Sequence, residues 1–295
     1  MWSMALRAPG KLNLHLGIYS ELDERRYHKA DSLMVAVDLA DEVVVEELSD
    51  SPRHEGPQVV CCPAIDIPQH KNTAYRAAME LAQRVGRDPR VRVSICKHVP
   101  DQAGMGGSSS DAAAVLLALC ELWGVDKNEP RVMQAAQAVG ADVPFFLDPV
   151  PTLLVGAGDV VSRKFLPLEG RIPVVLVRPV GPGVSTPAAY AEFDRMPTAP
   201  QSPANLCRVL ESLTAGPAEI AGLLFNNLDP VACRLHPRIP AVRTWLLGQT
   251  GVLGGMVTGS GSCVFGICET NERAEVLALA AREQLGAWAM ASRLM

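Results

Sequence analysis

Between Lys11 and Ile18 the chain reads KLNLHLGI, and every second residue is apolar. Leu12, Leu14, Leu16 and Ile18 fall on one face of an extended strand, with Lys11, Asn13, His15 and Gly17 on the other. The stretch LMVAVDLADEVVVEEL, residues 33–48, predicts one or two further strands. Apolar positions fall at helical spacing over residues 72–85, and RVRVSICKHVP, residues 90–100, returns to alternation and runs into a glycine loop. Helices are predicted over 110–123 and 129–139, the second stopped by Gly140.

In the second half, TLLVGAGDVVSRK (152–164) predicts a hairpin turning near residues 156–159, and RIPVVLVRP (171–179) a buried strand. TPAAYAEFDRM starts a helix behind Thr186 and Pro187, and PTAPQSP (197–203) is the most loop-like segment. Helical segments are predicted around 204–213, 219–226 and 239–247. GGMVTGSGSCVFGIC (254–268) reads as strand, glycine turn and strand, and 272–285 as a closing helix. There is no tandem repeat. The order of elements predicts an α+β fold with a break near 155–170, in a chain of 295 residues that suits one large or two ordinary domains.

With 48% hydrophobic residues the chain has ample material for a core. Its net charge, 27 − 32 = −5, comes without a basic block and argues against a nucleic-acid or anionic-membrane partner. The N-terminus lacks the apolar core of a secretory leader, and the apolar run 112–120 is too short to span a bilayer, so a cytoplasmic protein is expected. Cysteines at 61, 62, 96, 120, 207, 233, 263 and 268 form no Cys-x-x-Cys pair and read as buried free thiols. The histidines, at 15, 28, 54, 70, 98 and 236, show no metal-site spacing, and no protein-held metal is expected.

The loop PDQAGMGGSSSDAA, beginning at Pro100, changes the picture. Gly104, Gly106 and Gly107 let backbone N–H groups close on an anion in front of a helix N-terminus, and Ser108, Ser109 and Ser110 add hydroxyls for phosphate oxygens or Mg²⁺. No Gly-Lys-Ser/Thr follows, and Ser109 stands where a dinucleotide fingerprint needs glycine. A plain turn with a serine cap is the other reading. Asp142, in the apolar run GADVPFF, reads as a base on a substrate hydroxyl or as a helix cap or buried structural pair. The polar face of Lys11, Asn13 and His15 reads as a cleft lining or as a solvated outer face.

The loop resembles the Pro-x-x-x-Gly-Leu-Gly-Ser-Ser signature of the GHMP kinases, the superfamily of galactokinases and homoserine, mevalonate and phosphomevalonate kinases. APGKLNLHL and VTGSGSCVF resemble its two other motifs, and the three in order span Ala8 to Phe265. PGKLNLHLGI, YHKADSLMVAVDLADEV, GADVPFFL and TGSGSCVF are similar to the branch acting on 4-diphosphocytidyl-2-C-methyl-D-erythritol. Two stretches depart from that branch. Arg25 and Arg26 stand where it usually has Asp-Gly, and Ser108 where it often has Gly.

The resemblance implies a two-lobed fold with an ATP and substrate cleft between the lobes, an N-terminal ATP-binding domain over 1–160 and a C-terminal domain over 161–295. It implies ATP with Mg²⁺, and transfer of the γ-phosphoryl to the 2-hydroxyl of the methylerythritol unit on the non-mevalonate route to isoprenoids. Asp142 matches the catalytic carboxylate, which also meets the substrate, and Lys11 the lysine that keeps it ionised. Asn72, Thr73 and Lys97 match nucleotide contacts, together with the loop residues Pro100, Ala103, Gly104, Met105, Gly106, Gly107, Ser108, Ser109 and Ser110. Asn13, Thr186, Gly259 and Ser260 match substrate contacts, and Tyr27 and His28 match the pair that binds the cytosine. From the residues alone, Tyr27 and His28 are only loop, Asn72 and Thr186 helix caps, Lys97 a surface charge and 258–261 a hairpin turn. Another kinase of the superfamily, of homoserine or mevalonate type, and a non-enzymatic nucleotide- or RNA-binding module are the alternative functions. The sequence sets no oligomeric state.

Overall fold

A computed structural model describes all residues except 1, 49–55, 171 and 213–214. His54, the first residue of the expected strand 171–179 and the last of the expected helix 204–213 therefore lie outside the described residues. The elements in order begin β1 (Ser3–Leu22), β2 (His28–Glu47), β3 (Gln58–Cys62), α1 (Thr73–Val85), β4 (Val91–Cys96), α2 (Gly107–Trp123), α3 (Pro130–Val139) and α4 (Val143–Phe146). There follow β5 (Thr152–Val155), β6 (Val160–Lys164), β7 (Ile172–Arg178), α5 (Thr186–Arg195), α6 (Ala204–Glu211), α7 (Pro217–Ala221) and β8 (Phe225–Asn226). The chain ends with α8 (Asp229–Leu235), α9 (Ile239–Leu247), β9 (Val252–Val257), β10 (Val264–Cys268), α10 (Asn271–Leu285) and β11 (Trp288–Leu294).

Packing gathers these into two compact units, and they interleave along the chain. One takes Met1–Gly10, Leu39–Val99 and Gly106–Pro149; the other takes Lys11–Asp38, Pro100–Met105 and Val150–Met295. The chain passes between units inside β1 and β2, strands of 20 residues each, and again inside the glycine loop.

In the first unit β4 pairs antiparallel with β2 (Val43↔Ile95, Val45↔Val93) and parallel with β3 (Val59↔Val93). Helix α1 is capped by Asn72, whose Oδ1 accepts the Ala74 N–H, and ends at Gly86 in the left-handed region. It packs on α2 and α3. Helix α2 buries residues almost all round, from Ser110 to Leu116 and from Ala118 to Cys120, which accounts for the apolar run 112–120 as a core helix. No helix among the described residues is long and apolar enough to cross a membrane.

In the second unit β2 pairs with β5 (Leu33↔Leu153) and, at Val37, with Leu294 of β11, while β11, β7, β10 and β9 pair in that order, all antiparallel. Helix α10 packs on β7 and β11, over a core that includes Ile18, Val175, Val177, Phe193, Val257 and Leu277. The predicted hairpin is β5–β6.

Two expectations need correction. Strand β11 lies beyond the expected closing helix: WAMASRL has no clean alternation, and pairing along its whole length with β7 is what makes it a strand. The helix expected over 219–226 stops at Ala221 and Gly222, because Phe225 and Asn226 pair in parallel with His15 and Leu16. Among the described residues no disulfide forms. Cys120, Cys207, Cys263 and Cys268 are buried free thiols, and Cys62 is exposed.

Candidate active site

The glycine loop makes two left-handed turns, at Gly104 (φ 76°) and Gly106 (φ 69°), before α2 starts at Gly107. The N–H groups of Ser109 and Ser110 donate to the Gly106 carbonyl and close the first helical turn behind Gly107 and Ser108. Ala103 and Met105 are buried anchors, whereas Ser108 is exposed. The loop is laced to the second glycine turn. Ser262 N–H donates to Gln102 O at 3.3 Å and Cys263 N–H to Ala103 O at 3.1 Å, while Lys11 N–H donates to Met105 O at 2.9 Å. A Cβ on Gly104 would sit 2.2 Å from the Thr258 carbonyl oxygen, so this contact requires glycine.

Below the first turn of α2, in the first unit, Lys97 is only 6% exposed. Its Nζ reaches Asp41 at 2.5 Å and Asp111 at 2.7 Å. Asp41 also accepts the Val99 N–H at 2.7 Å. Burial works against the Lys97 charge, but Asp111 and Asp41 outweigh it and raise the pKa. Burial also raises the Asp111 pKa, against the pull of Lys97. Lys97 is thus no surface charge: its ammonium ties the strand before the loop to the helix after it. Gly107 packs against this lysine, for a Cβ there would lie 3.3 Å from Nζ. Asp41 and Asp111 were not legible as site residues, although a carboxylate inside an apolar run is the signal that could have found them.

The Thr73 hydroxyl donates to the Ser108 carbonyl at 2.8 Å, tying the start of α1 to the loop. Asn72 borders a cavity of about 200 Å³ lined also by Val59, Val60, Cys61 and Ile67. Asp142 is half-buried and stands just before α4 in the N-cap position, but its side chain does not cap that helix.

The second unit holds a buried network on the polar face of β1. Lys11 Nζ donates to Asn13 Oδ1 at 2.6 Å, and Asn13 Nδ2 donates to Ser32 Oγ at 2.8 Å. The Asn13 N–H donates to Thr258 Oγ1 at 3.1 Å. Lys11 is 4% and Asn13 1% exposed, so this face is buried rather than solvated. Gly259 closes on it: a Cβ there would lie 3.4 Å from Lys11 Nζ. Asn226 holds the same turn through the carbonyls of Val257 and Gly259, a role its place in an apparent helix had hidden. Thr186 Oγ1 and Ser260 Oγ lie 3.3 Å apart. His15, next on the face, packs on Phe225, and its Nε2 has no partner among the described residues. Burial pushes it down to about 4, against an upward pull from Asp31.

Tyr27 is 61% exposed on the β1–β2 turn. His28 beside it is fixed: Nδ1 donates to the Tyr19 carbonyl at 2.7 Å, and Nε2 faces Asp194 at 3.0 Å. Its ring lies 5.5 Å from that of Tyr190 and edge-on to Phe193. The expected site residues thus form two sets. Asn72, Thr73, Lys97, Asp142 and the loop from Gly106 onward belong to the first unit; Lys11, Asn13, Tyr27, His28, Thr186, Gly259, Ser260 and the loop up to Met105 belong to the second.

Residues 72–148 match the GHMP kinases N terminal domain, and residues 210–287 match GHMP kinases C terminal. The chain belongs to the GHMP kinases. Within them, it is 36% identical to 4-diphosphocytidyl-2-C-methyl-D-erythritol kinase of Desulfitobacterium hafniense (strain Y51), over 94% of this chain and 91% of that one. It is 34% identical to the protein of the same name from Citrifermentans bemidjiense, over 99% of both chains. A crystal structure of 4-(cytidine 5'-diphospho)-2C-methyl-D-erythritol kinase superposes with a TM-score of 0.77 at 32% identity, covering 98% of this chain and 99% of that one.

Proposed function

We infer that this chain transfers the γ-phosphoryl group of ATP to the 2-hydroxyl of 4-diphosphocytidyl-2-C-methyl-D-erythritol, giving the 2-phosphate and ADP, in isoprenoid precursor synthesis. The observation that carries the reading is full-length likeness to kinases of that name; a glycine loop ahead of a helix and a buried lysine network support it. Phosphoryl transfer asks a protein for position and charge more than for covalent chemistry.

The triphosphate takes the N–H groups of the loop and of the first turn of α2, with Asn72 and its cavity on the adenine side. Glycine at 107 lets the start of α2 close on Val99 and Lys97, which a Cβ there would meet at 3.1 and 3.3 Å. Mg²⁺ neutralises phosphate charge when bound; the buried Ser110 hydroxyl, unpartnered among the described residues, is an oxygen donor of the kind this ion takes. Asp142 accepts the proton of the 2-hydroxyl as its oxygen bonds to the γ-phosphorus and the bond to ADP breaks. Lys11 supplies positive charge, held in place by Asn13. Thr186, Gly259 and Ser260 border the substrate, and Tyr27 offers an open ring face to the cytosine. His28 Nε2 then exchanges Asp194 for the edge of the base.

A coupled ADP-release assay tests the reading. Turnover is expected with the diphosphocytidyl substrate and none with homoserine or mevalonate; turnover with either of these and none with the first overturns it.

A further inference from the structure

The turn that presents Tyr27 is built by an ion pair across two hairpins. Asp23 Oδ1 accepts the N–H groups of Arg25 and Tyr27, each at 2.9 Å, and Asp23 N–H donates to Tyr27 O at 2.7 Å. These bonds hold the backbone while Arg26 sits in the left-handed region at φ 65°. They do not hold the Tyr27 ring, which is exposed and has a charged group over one face. The Arg25 guanidinium carbon lies 5.5 Å from the ring centroid.

That guanidinium is pinned. Its Nε donates to Asp23 Oδ2 at 2.9 Å and its Nη1 to Asp159 Oδ2 at 2.7 Å. Asp159 belongs to the β5–β6 turn, where its Oδ1 accepts the Ala157 N–H at 3.1 Å. The same turn is bound to β2 through Ala30 N–H and Gly156 O at 2.8 Å. A rigid turn therefore holds a carboxylate, the carboxylate holds an arginine, and the arginine lies against one face of an exposed tyrosine.

We propose that Arg25 is a positioning residue for substrate recognition: with Asp159 it pre-orders the Tyr27 ring and leaves the opposite face for the base. The proposal rests on the reading that Tyr27 receives the cytosine. An exposed ring loses rotamer freedom when a base stacks on it, and a cation already seated on one face removes part of that cost. Both ion pairs are largely exposed at Arg25, so they contribute little to fold stability. The effect of breaking them belongs in substrate affinity.

Steady-state kinetics on Arg25→Ala, Asp159→Asn, Tyr27→Ala and the Arg25→Ala/Tyr27→Ala double variant decide the matter. Arg25→Ala should raise KM for the diphosphocytidyl substrate about three- to ten-fold, with kcat, KM for ATP and the melting temperature unchanged. Asp159→Asn should follow it in part. Arg25→Lys should not restore the wild-type KM, since an ammonium cannot bridge two carboxylates and lie flat on a ring. In the Tyr27→Ala background, loss of Arg25 should add nothing. If Tyr27→Ala raises KM and Arg25→Ala does not, the positioning role is refuted and the cytosine reading stands. If Arg25→Ala keeps its full effect without Tyr27, Arg25 meets the substrate itself and the positioning role is again refuted. If Tyr27→Ala leaves KM unchanged, the cytosine reading falls and takes the proposal with it.

Discussion

Replacing Gly104 by alanine adds one methyl group at the tightest point between the two glycine motifs. Two costs follow. The residue holds φ at 76°, a conformation that costs an L side chain about 1–2 kcal/mol. The new Cβ would also stand 2.2 Å from the Thr258 carbonyl oxygen. That oxygen cannot simply retreat, because it accepts the Gly261 N–H at 2.9 Å while the Thr258 N–H is bound to Cys263 O at 3.0 Å. Forcing the overlap apart costs about 1–3 kcal/mol more. The sum is roughly 2–5 kcal/mol, taken at the point where the glycine loop meets the second glycine turn. Gly124 is the control: its φ is 64° but nothing lies within 4 Å of its Cβ position, so Gly124→Ala isolates the backbone cost. Denaturant midpoints and KM for ATP should be measured on both. Gly104→Ala should be the less stable by roughly 2 kcal/mol and should lose ATP affinity at least about ten-fold, with Gly124→Ala near wild type in KM. Equal stability of the two variants together with an unchanged KM would refute the reasoning.

Asp142→Asn should lose ~10²-fold or more in kcat with both KM values little changed, and Lys11→Ala should also lose kcat; full activity in Asp142→Asn removes that residue from the mechanism. Lys97→Met should cost about 3–5 kcal/mol by leaving Asp41 and Asp111 buried together without their cation. Burial already raises Asp111 to about 7 against the pull of Lys97, so removing the lysine should raise it further; the loss relative to wild type should deepen as pH rises past about 7, and a pH-independent loss counts against the Lys97–Asp111 pair. His15 holds a folded value of about 4 against an ordinary 6.5, so its contribution is intact above 6.5 and is lost as pH falls through 4. Urea unfolding across that window should show His15→Phe losing less stability on acidification than wild type, by up to roughly 3 kcal/mol; matching slopes exclude the residue as the cause.

Local pattern alone determined a good part of this protein. Alternation in KLNLHLGI requires a strand, because successive side chains of extended backbone point to opposite faces, and the four apolar residues are indeed core. Glycines 104, 106 and 107 ahead of an unbroken helix former require a loop-to-helix junction, and the structure has one. What pattern could not decide is the environment of the polar residues. Whether Lys11, Asn13 and His15 meet water depends on Thr258, 245 positions from Asn13 along the chain, and on Ser32. Lys97 reads as a surface charge until Asp41, 56 positions away, and Asp111 enclose it. The same holds for backbone with ambiguous preferences: Phe225–Asn226 and Trp288–Leu294 became strands because β1 and β7 offered them unpaired edges. A period along the chain records which face is apolar; a buried polar or charged group is stable only beside its partner, and tertiary structure alone brings that partner within hydrogen-bonding distance.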